Sequence, residues 1–212
     1  MGSPSSVNRR AKKIVEKLEK QRAIIEGADK IIDNFMVEYS FENCKQIPLG
    51  DFITLQRGHD LPILNFQEGK YPVVGSNGII GFHSEYKAKG PGVVTGRSGT
   101  IGKVNYIESD FWPHNTSLFV SDFKGNFPKF VYYLLQTIDL KSLAEDTTAV
   151  PSLDRKNAHK IIINAPQYDL QKEITASIDK DIEKLNGIEN FKLRSQQKMD
   201  MILSELWGEE KA

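Results

Sequence analysis

Between residues 9 and 36 apolar side chains recur at Ala11, Ile14, Leu18, Ile25, Ala28, Ile32 and Phe35, with Gln21 as the one polar member of an unbroken three-four spacing. That is the period of a heptad seam, and charged residues fill the other faces. It predicts a helix of roughly 28 residues, about 42 Å long, which would overhang a small domain unless a second helix ran beside it. A second long pattern covers residues 168–207. Asp169 suits an N-cap, Lys172 and Glu173 sit in the first turn, and Ile174, Ile178, Ile182, Leu185, Met199, Ile202, Leu203 and Leu206 form the stripe. The stripe weakens between Ile188 and Gln197, where Glu189, Lys192 and Gln196 intrude. Gly187 inside it lowers local stability by about 1 kcal/mol relative to alanine. The two helices are expected to run antiparallel and to zip together.

Between them the period changes. Short β-type runs at 46–49, 52–55, 71–74, 79–82, 93–95, 104–107 and 117–120 alternate with glycine, proline and asparagine. Residues 130–143 are the exception: Phe130, Val131, Leu134, Leu135 and Ile138 have helical spacing, with Pro128 just before the start. Residues 157–163 return to an apolar run ending at Pro166. The expected fold class is α+β. A mixed, mostly antiparallel domain is flanked by two long helices that form an antiparallel coiled coil. The boundaries read as a tag or frayed start at 1–8, a helix at 9–36, the domain at 37–166, a helix at 167–207 and a tail at 208–212.

Composition changes this picture little. The 28 Lys and Arg balance the 28 Asp and Glu, so a nucleic-acid partner requires cations gathered on one face. One cysteine, Cys44, excludes an internal disulfide, fits a reducing cytoplasm and reads as a small packing residue. No apolar run is long enough to span a membrane, and the start lacks the apolar centre of a signal peptide. No metal or cofactor is expected: His59, His83, His114 and His159 are scattered.

Nine of the 16 glycines fall between Gly69 and Lys103. Tight turns with exposed amides, interleaved with Lys70, Lys87, Lys89, Arg97 and Lys103, suit a large, shaped, anionic ligand. Duplex DNA is such a ligand.

The motifs IPLGDFITLQRG (47–58), YPVVGSNGIIGFHSEY (71–86), VVTGRSGTIGKV (93–104), FWPHNTSLFV (111–120), VPSLDRKNAHKIIINAP (150–166) and DLQKEI (169–174) occur in that order. In order and spacing they resemble the target-recognition domain of type I restriction–modification specificity subunits, and of related domains fused to methyltransferases. The resemblance covers nearly all of the chain from about Glu16. It implies a non-catalytic reader of one half of a split DNA target. Its helices would act as a spacer that docks a methyltransferase subunit or fused domain, with a restriction subunit as a further partner and a homodimer through the helices as an option. The chain departs from the full subunit in carrying one recognition domain instead of two. KLEKQRAIIEGADKIIDNF (17–35) looks like the linker that follows a methyltransferase. A natural half-subunit and an excised fragment both fit, and Val7, an odd natural start, favours the fragment.

Phosphate neutralisation supplies affinity, and side chains at base edges supply specificity. Arg97 and Ser98 lie in the GRSGTIGK turn, closed by Lys103, where a guanidinium suits a phosphate or guanine and equally a bracing role. Ser76, Asn77 and His83 flank the GSNGIIG turn; Asn77 is first a hairpin signal and second an adenine reader. Lys70, Lys87 and Lys89 are candidate phosphate clamps or a solvated edge. Arg57 and His59 fall in a loop whose counterpart, by the resemblance, varies with target. His114 and Asn115, with Thr116, form a third polar group, and Thr147 and Thr148 with Arg155 and Lys156 a fourth. Asp154 reads as a local cap.

Other chemistry fits poorly. GRSGTIGK has five residues between its first glycine and Gly102, and Val104 stands where a P-loop needs Ser or Thr. Asn164-Ala165-Pro166-Gln167-Tyr168 is only faintly like a methyltransferase loop. Glu85-Tyr86-Lys87 with Asp60 could be cast as a metal-dependent nuclease site but lacks a second acidic cluster. A coiled-coil adaptor with a protein-binding domain is the alternative from another class.

Overall fold

The computed structural model describes residues 4–33, 44–145 and 151–207. The chain divides into two compact units, 39–176 and a helical unit of 1–38 with 177–212.

In the helical unit, α1 runs from Pro4 to Asp33. It starts five residues before the apolar pattern does, because proline at a first helical position is already set for the helix and its missing N–H costs nothing there. Ile14, Leu18, Gln21, Ile25 and Ala28 are withdrawn from solvent, as the three-four spacing requires. The Oε1 of Gln21 is buried with no partner among the described residues. α5 runs unbroken from Tyr168 to Trp207. Its less exposed positions within this unit include Ile178, Asp181, Leu185, Ile188, Lys192, Ser195, Met199 and Ile202, a continuous heptad seam. The stripe expected from apolar residues alone placed Ile182 inside, yet that residue is 40% exposed, while Ser195 is buried. The seam passes through its polar stretch without a break. A serine is small enough for a tight layer, and a lysine can bury its stem and release its head.

The globular unit is built on short strands: β1 Lys45–Pro48, β2 Thr54–Arg57, β3 Tyr71–Gly75, β4 Gly78–His83, β5 Gly92–Gly96, β6 Val104–Ile107, β7 Trp112–Pro113, β8 Ser117–Asp122, β9 Ala144–Glu145, β10 Ser152–Leu153 and β11 Ile162–Ala165. The main sheet has the order β2-β8-β5-β6 and is antiparallel throughout. A second sheet, β4-β3-β7, carries a parallel strand pairing, β3 with β7. β1 pairs with β11 and β9 with β10, both antiparallel. The fold class is the expected α+β, mostly antiparallel. Val74, Val94, Ile107, Phe111 and Phe119 form one core cluster, and Leu61, Val73 and Trp112 a second.

Three short helices complete the unit: α2 Leu49–Phe52, α3 Pro128–Thr137 and α4 Arg155–His159. α3 stops six residues before its apolar pattern ends. Ile138 turns to extended backbone, and Asp139 accepts from the Ser142 N–H, which swings Leu140 into the core at 1% exposure. The run expected at 157–163 is split between α4 and β11, because Asp154 accepts from the Lys156 N–H and starts a helical turn there.

The first turns of α5 belong to the globular unit and are fixed by a buried glutamine. Gln171 is 2% exposed; its Oε1 accepts from the Phe127 N–H at 2.8 Å, and its Nε2 donates to Asn126 at 2.7 Å and to the Pro166 carbonyl at 2.9 Å. Both its N–H groups and its oxygen are engaged, so the polar group is buried without an orphan.

Candidate nucleic-acid interface

Three segments far apart in sequence meet along one open groove of about 650 Å³. Gln56 to Asp60 line it from the end of β2, Arg97 from the turn after β5, and Ser152 to Arg155 from β10 and the start of α4. Glycine makes the junctions possible. A Cβ on Gly58 would lie 2.1 Å from the His114 carbonyl, and one on Gly96 would lie 1.8 Å from the Thr100 carbonyl. With the backbones this close, His59 N–H donates to Pro113 (2.8 Å), while Arg97 and Ser98 N–H both donate to the Thr116 carbonyl (2.9 and 3.2 Å). Leu153 N–H in turn donates to the Arg97 carbonyl at 2.8 Å. The groove is therefore held by main chain, and its arginine side chains are left over for other work.

Those arginines differ. Arg57 lies 3.5 Å from Asp60, both well exposed, and Asn115 also donates to Asp60. An exposed pair of this kind contributes little to stability. Asp60, which the nuclease reading would make a metal ligand, is engaged here instead. Neither Arg97 nor Arg155 has an ion-pair or hydrogen-bond partner for its guanidinium among the described residues. Asp154 faces the same groove but serves as the N-cap of α4.

A second group forms at the β3–β4 turn. Lys103 Nζ donates to both the main-chain and side-chain oxygens of Asn77 at 2.9 Å. Ser76 N–H donates to Thr116 Oγ1 at 3.3 Å. Thr116 is thus the link between the two groups, its carbonyl holding the arginine turn and its hydroxyl the asparagine turn. That hydroxyl also bonds His114 Nδ1 (3.1 Å), and His114 Nε2 bonds the Leu61 carbonyl (3.2 Å). The Nε2–H tautomer satisfies all three contacts. His114 is a brace beneath the turns.

The other expected contacts are dispersed. His83 is 5% exposed, accepts from Gln67 N–H at 3.0 Å and stacks edge-on against Trp112 at 5.2 Å. It serves the packing of the hairpin and not its outer surface, because alternation along β4 turns this end inward. His59 packs its ring on Trp112 and Phe119 while bordering the groove. Lys70 and Lys87 lie over the rings of Tyr71 and Trp112, at 5.4 and 5.0 Å. Lys89 and Lys156 are exposed. Thr147 and Thr148 lie outside the described residues.

Beside the groove stands a residue to which the sequence reading gave no role. His159 Nε2 accepts from the Leu55 N–H at 2.9 Å and so closes the free edge of β2 just before the groove. Burial holds this imidazole below the ordinary histidine range, and Arg155 and Lys124 push it the same way against Asp154. The neutral ring is the one that can accept. Its sequence signal was only its place inside VPSLDRKNAHK. Among the described residues no group of three or more His, Cys, Asp or Glu is placed to hold a metal ion, and no helix is long and apolar enough to cross a membrane.

Known proteins bear on this geometry. No curated protein matches the chain. Among solved structures, the type I restriction–modification S subunit from M. genitalium superposes with a TM-score of 0.59 at 21% identity, over 95% of this chain and 59% of that one. A chain from a structure of the type I R-M system, solved for its complex assembly and conformational transition, gives 0.64 at 12%, over 95% and 57%. The HsdS subunit from Thermoanaerobacter tengcongensis gives 0.57 at 12%, over 95% and 54%. At these identities the likeness is one of fold, and the chain spans little more than half of each solved chain. The family model for the type I restriction modification DNA specificity domain matches residues 42–196, which takes in the whole groove, both turns and much of α5. The chain belongs to that family of DNA specificity domains.

Proposed function

We propose that this chain is a sequence-reading module for double-stranded DNA in a restriction–modification system, recognising one part of a target without chemistry of its own. The observation that carries the reading is the convergence of Arg57, Arg97 and Arg155 from three separate segments on one groove, two of them with no partner among the described residues. Guanidinium groups held on a rigid main-chain frame suit phosphates and guanine edges. Ser76, Asn77, Ser98 and Lys103 make the adjoining contact area. There Asn77 aims the Lys103 ammonium, which keeps a third proton for a phosphate. Lys70, Lys87, Lys89, Asn115 and Lys156 add peripheral contacts, with Thr147 and Thr148 on the same stretch as Arg155.

The helical unit is the spacer of this module. Its seam pairs α1 with α5 as an antiparallel coiled coil, and its outer faces dock the DNA methyltransferase, as subunit or fused domain. Exposed Val15, Phe191, Leu193 and Met201 support a docking role, since apolar side chains on a charged stalk mark contact surfaces. A restriction subunit would join through the same assembly, in the cytoplasm where the DNA is.

The test is a gel shift on duplex DNA over a salt series. Arg97→Ala should weaken binding to every sequence by about 1–3 kcal/mol and lower the salt slope by about one. Unchanged affinity and slope would remove the groove from the interface.

A further inference from the structure

The loop that lines the groove does not end there. After Asp60 it continues through Leu61 and Pro62 into a 3₁₀ turn, Ile63–Asn65, at whose tip Leu64 is 97% exposed and Ile63 77%. Leaving one leucine almost wholly in water forgoes roughly 2 kcal/mol of burial. A mobile loop could fold such a side chain down, but this turn is built to hold it out. Asn65 and Phe66 N–H close the turn on Pro62 and Ile63 at 2.8 and 3.0 Å.

Both ends are anchored. Leu61 is buried with Val73 and Trp112, and its carbonyl is held by His114 Nε2. Phe66 packs on the same cluster and against β4, where a Cβ on Gly81 would come within 2.6 Å of its ring. Gln67 is tied by its N–H to His83 Nδ1 at 3.0 Å and by its Oε1 to the Ser84 hydroxyl at 2.7 Å. His83 and His114, which lie in turns expected to face DNA, thus act as the footings of an apolar projection.

We propose that Leu64, backed by Ile63, is a wedge that inserts between base pairs of the bound duplex, unstacking one step and bending the DNA around the arginine groove. This rests on the DNA reading given above. Continuity selects DNA as the occupant: Arg57, His59 and Asp60 border the groove and lie only four to seven residues before the tip. Two acids lie four residues from Leu64; of these Asp60, on the groove side, is paired with Arg57 and bonded by Asn115, which reduces its repulsion of a phosphate. Apolar wedges beside phosphate-binding cations are a known means of kinking a duplex, and the unstacking cost falls on flexible pyrimidine–purine steps. The wedge therefore selects sequence through deformability, at a step that no polar side chain reads.

The experiment uses the full chain with random-core duplexes. Duplexes retained by the wild type are resynthesised with 2-aminopurine at successive purine positions and with a dye pair at the ends. The wild type should raise 2-aminopurine emission several-fold at one step and shorten the end-to-end distance. Leu64→Ala should abolish both signals and weaken binding about tenfold with an unchanged melting temperature, and Leu64→Phe should restore them. Binding with no 2-aminopurine signal at any position overturns the wedge while leaving the DNA reading intact. So does a Leu64→Ala variant that keeps the signal, or one that keeps DNA affinity but loses a methyltransferase, which would make the tip a protein contact. Failure of the wild type, with or without its methyltransferase, to retain any duplex overturns both.

Discussion

The arginine groove and the Asn77 turn are built from the same kinds of residue, yet their polar groups are used in opposite ways. In the groove, main chain does the holding, and the guanidinium groups of Arg97 and Arg155 have no partner among the described residues. In the turn, Lys103 is bound to two oxygens of Asn77, and Ser76 is bound to Thr116. A turn closed by side chains uses the groups that would otherwise reach a ligand. A turn closed by amides and carbonyls, with glycine where the backbones touch, keeps its side chains available.

The comparison can be broken at graded cost. The largest effect is expected from Arg97→Ala, at about 1–3 kcal/mol of DNA affinity for every sequence with the fold intact. The matching change in the turn, Asn77→Ala, should give a smaller loss that is also uniform, because it releases Lys103 instead of removing a base reader. A shift in preferred sequence, measured by selection from random duplexes, would restore Asn77 to base readout.

His159→Ala comes next. It leaves the Leu55 N–H unpaired, and Leu55 is 1% exposed, so stability should fall by about 1–3 kcal/mol in denaturant unfolding. The wild type should show a linked pH effect. Because the folded state holds His159 below its ordinary value, the unfolded chain binds the extra proton first as pH falls. Stability should be full above about pH 6.5 and decline as pH drops below it, towards the depressed folded value. A His159→Gln variant should flatten this slope, and an unchanged slope would place its cause elsewhere. Thr116→Val follows, at about 1 kcal/mol, since it uncouples Ser76 and His114 but leaves the carbonyl that holds Arg97. Lys103→Met should cost least in stability, a few tenths of a kcal/mol, because its bonds are exposed and partly screened.

Period and punctuation in the sequence determined the layout: a 3.5-residue seam in α1, short alternating runs broken by glycine, and Pro128 at the start of α3. These signals are local, arising within one helical turn or one hairpin, so they survive without the rest of the chain. The motif order likewise carried the family. What only the tertiary structure decided is which of many polar residues stayed unpaired. Gly58, Gly96 and Thr116 bring segments up to about sixty residues apart into main-chain contact, and no local pattern encodes that. The same holds for the α5 seam, where Ser195 is inside and Ile182 outside: burial there is set by the neighbouring surface and not by side-chain hydropathy alone. Leu64 illustrates the limit most clearly, because an apolar residue in a run reads as core until the fold shows it standing in water.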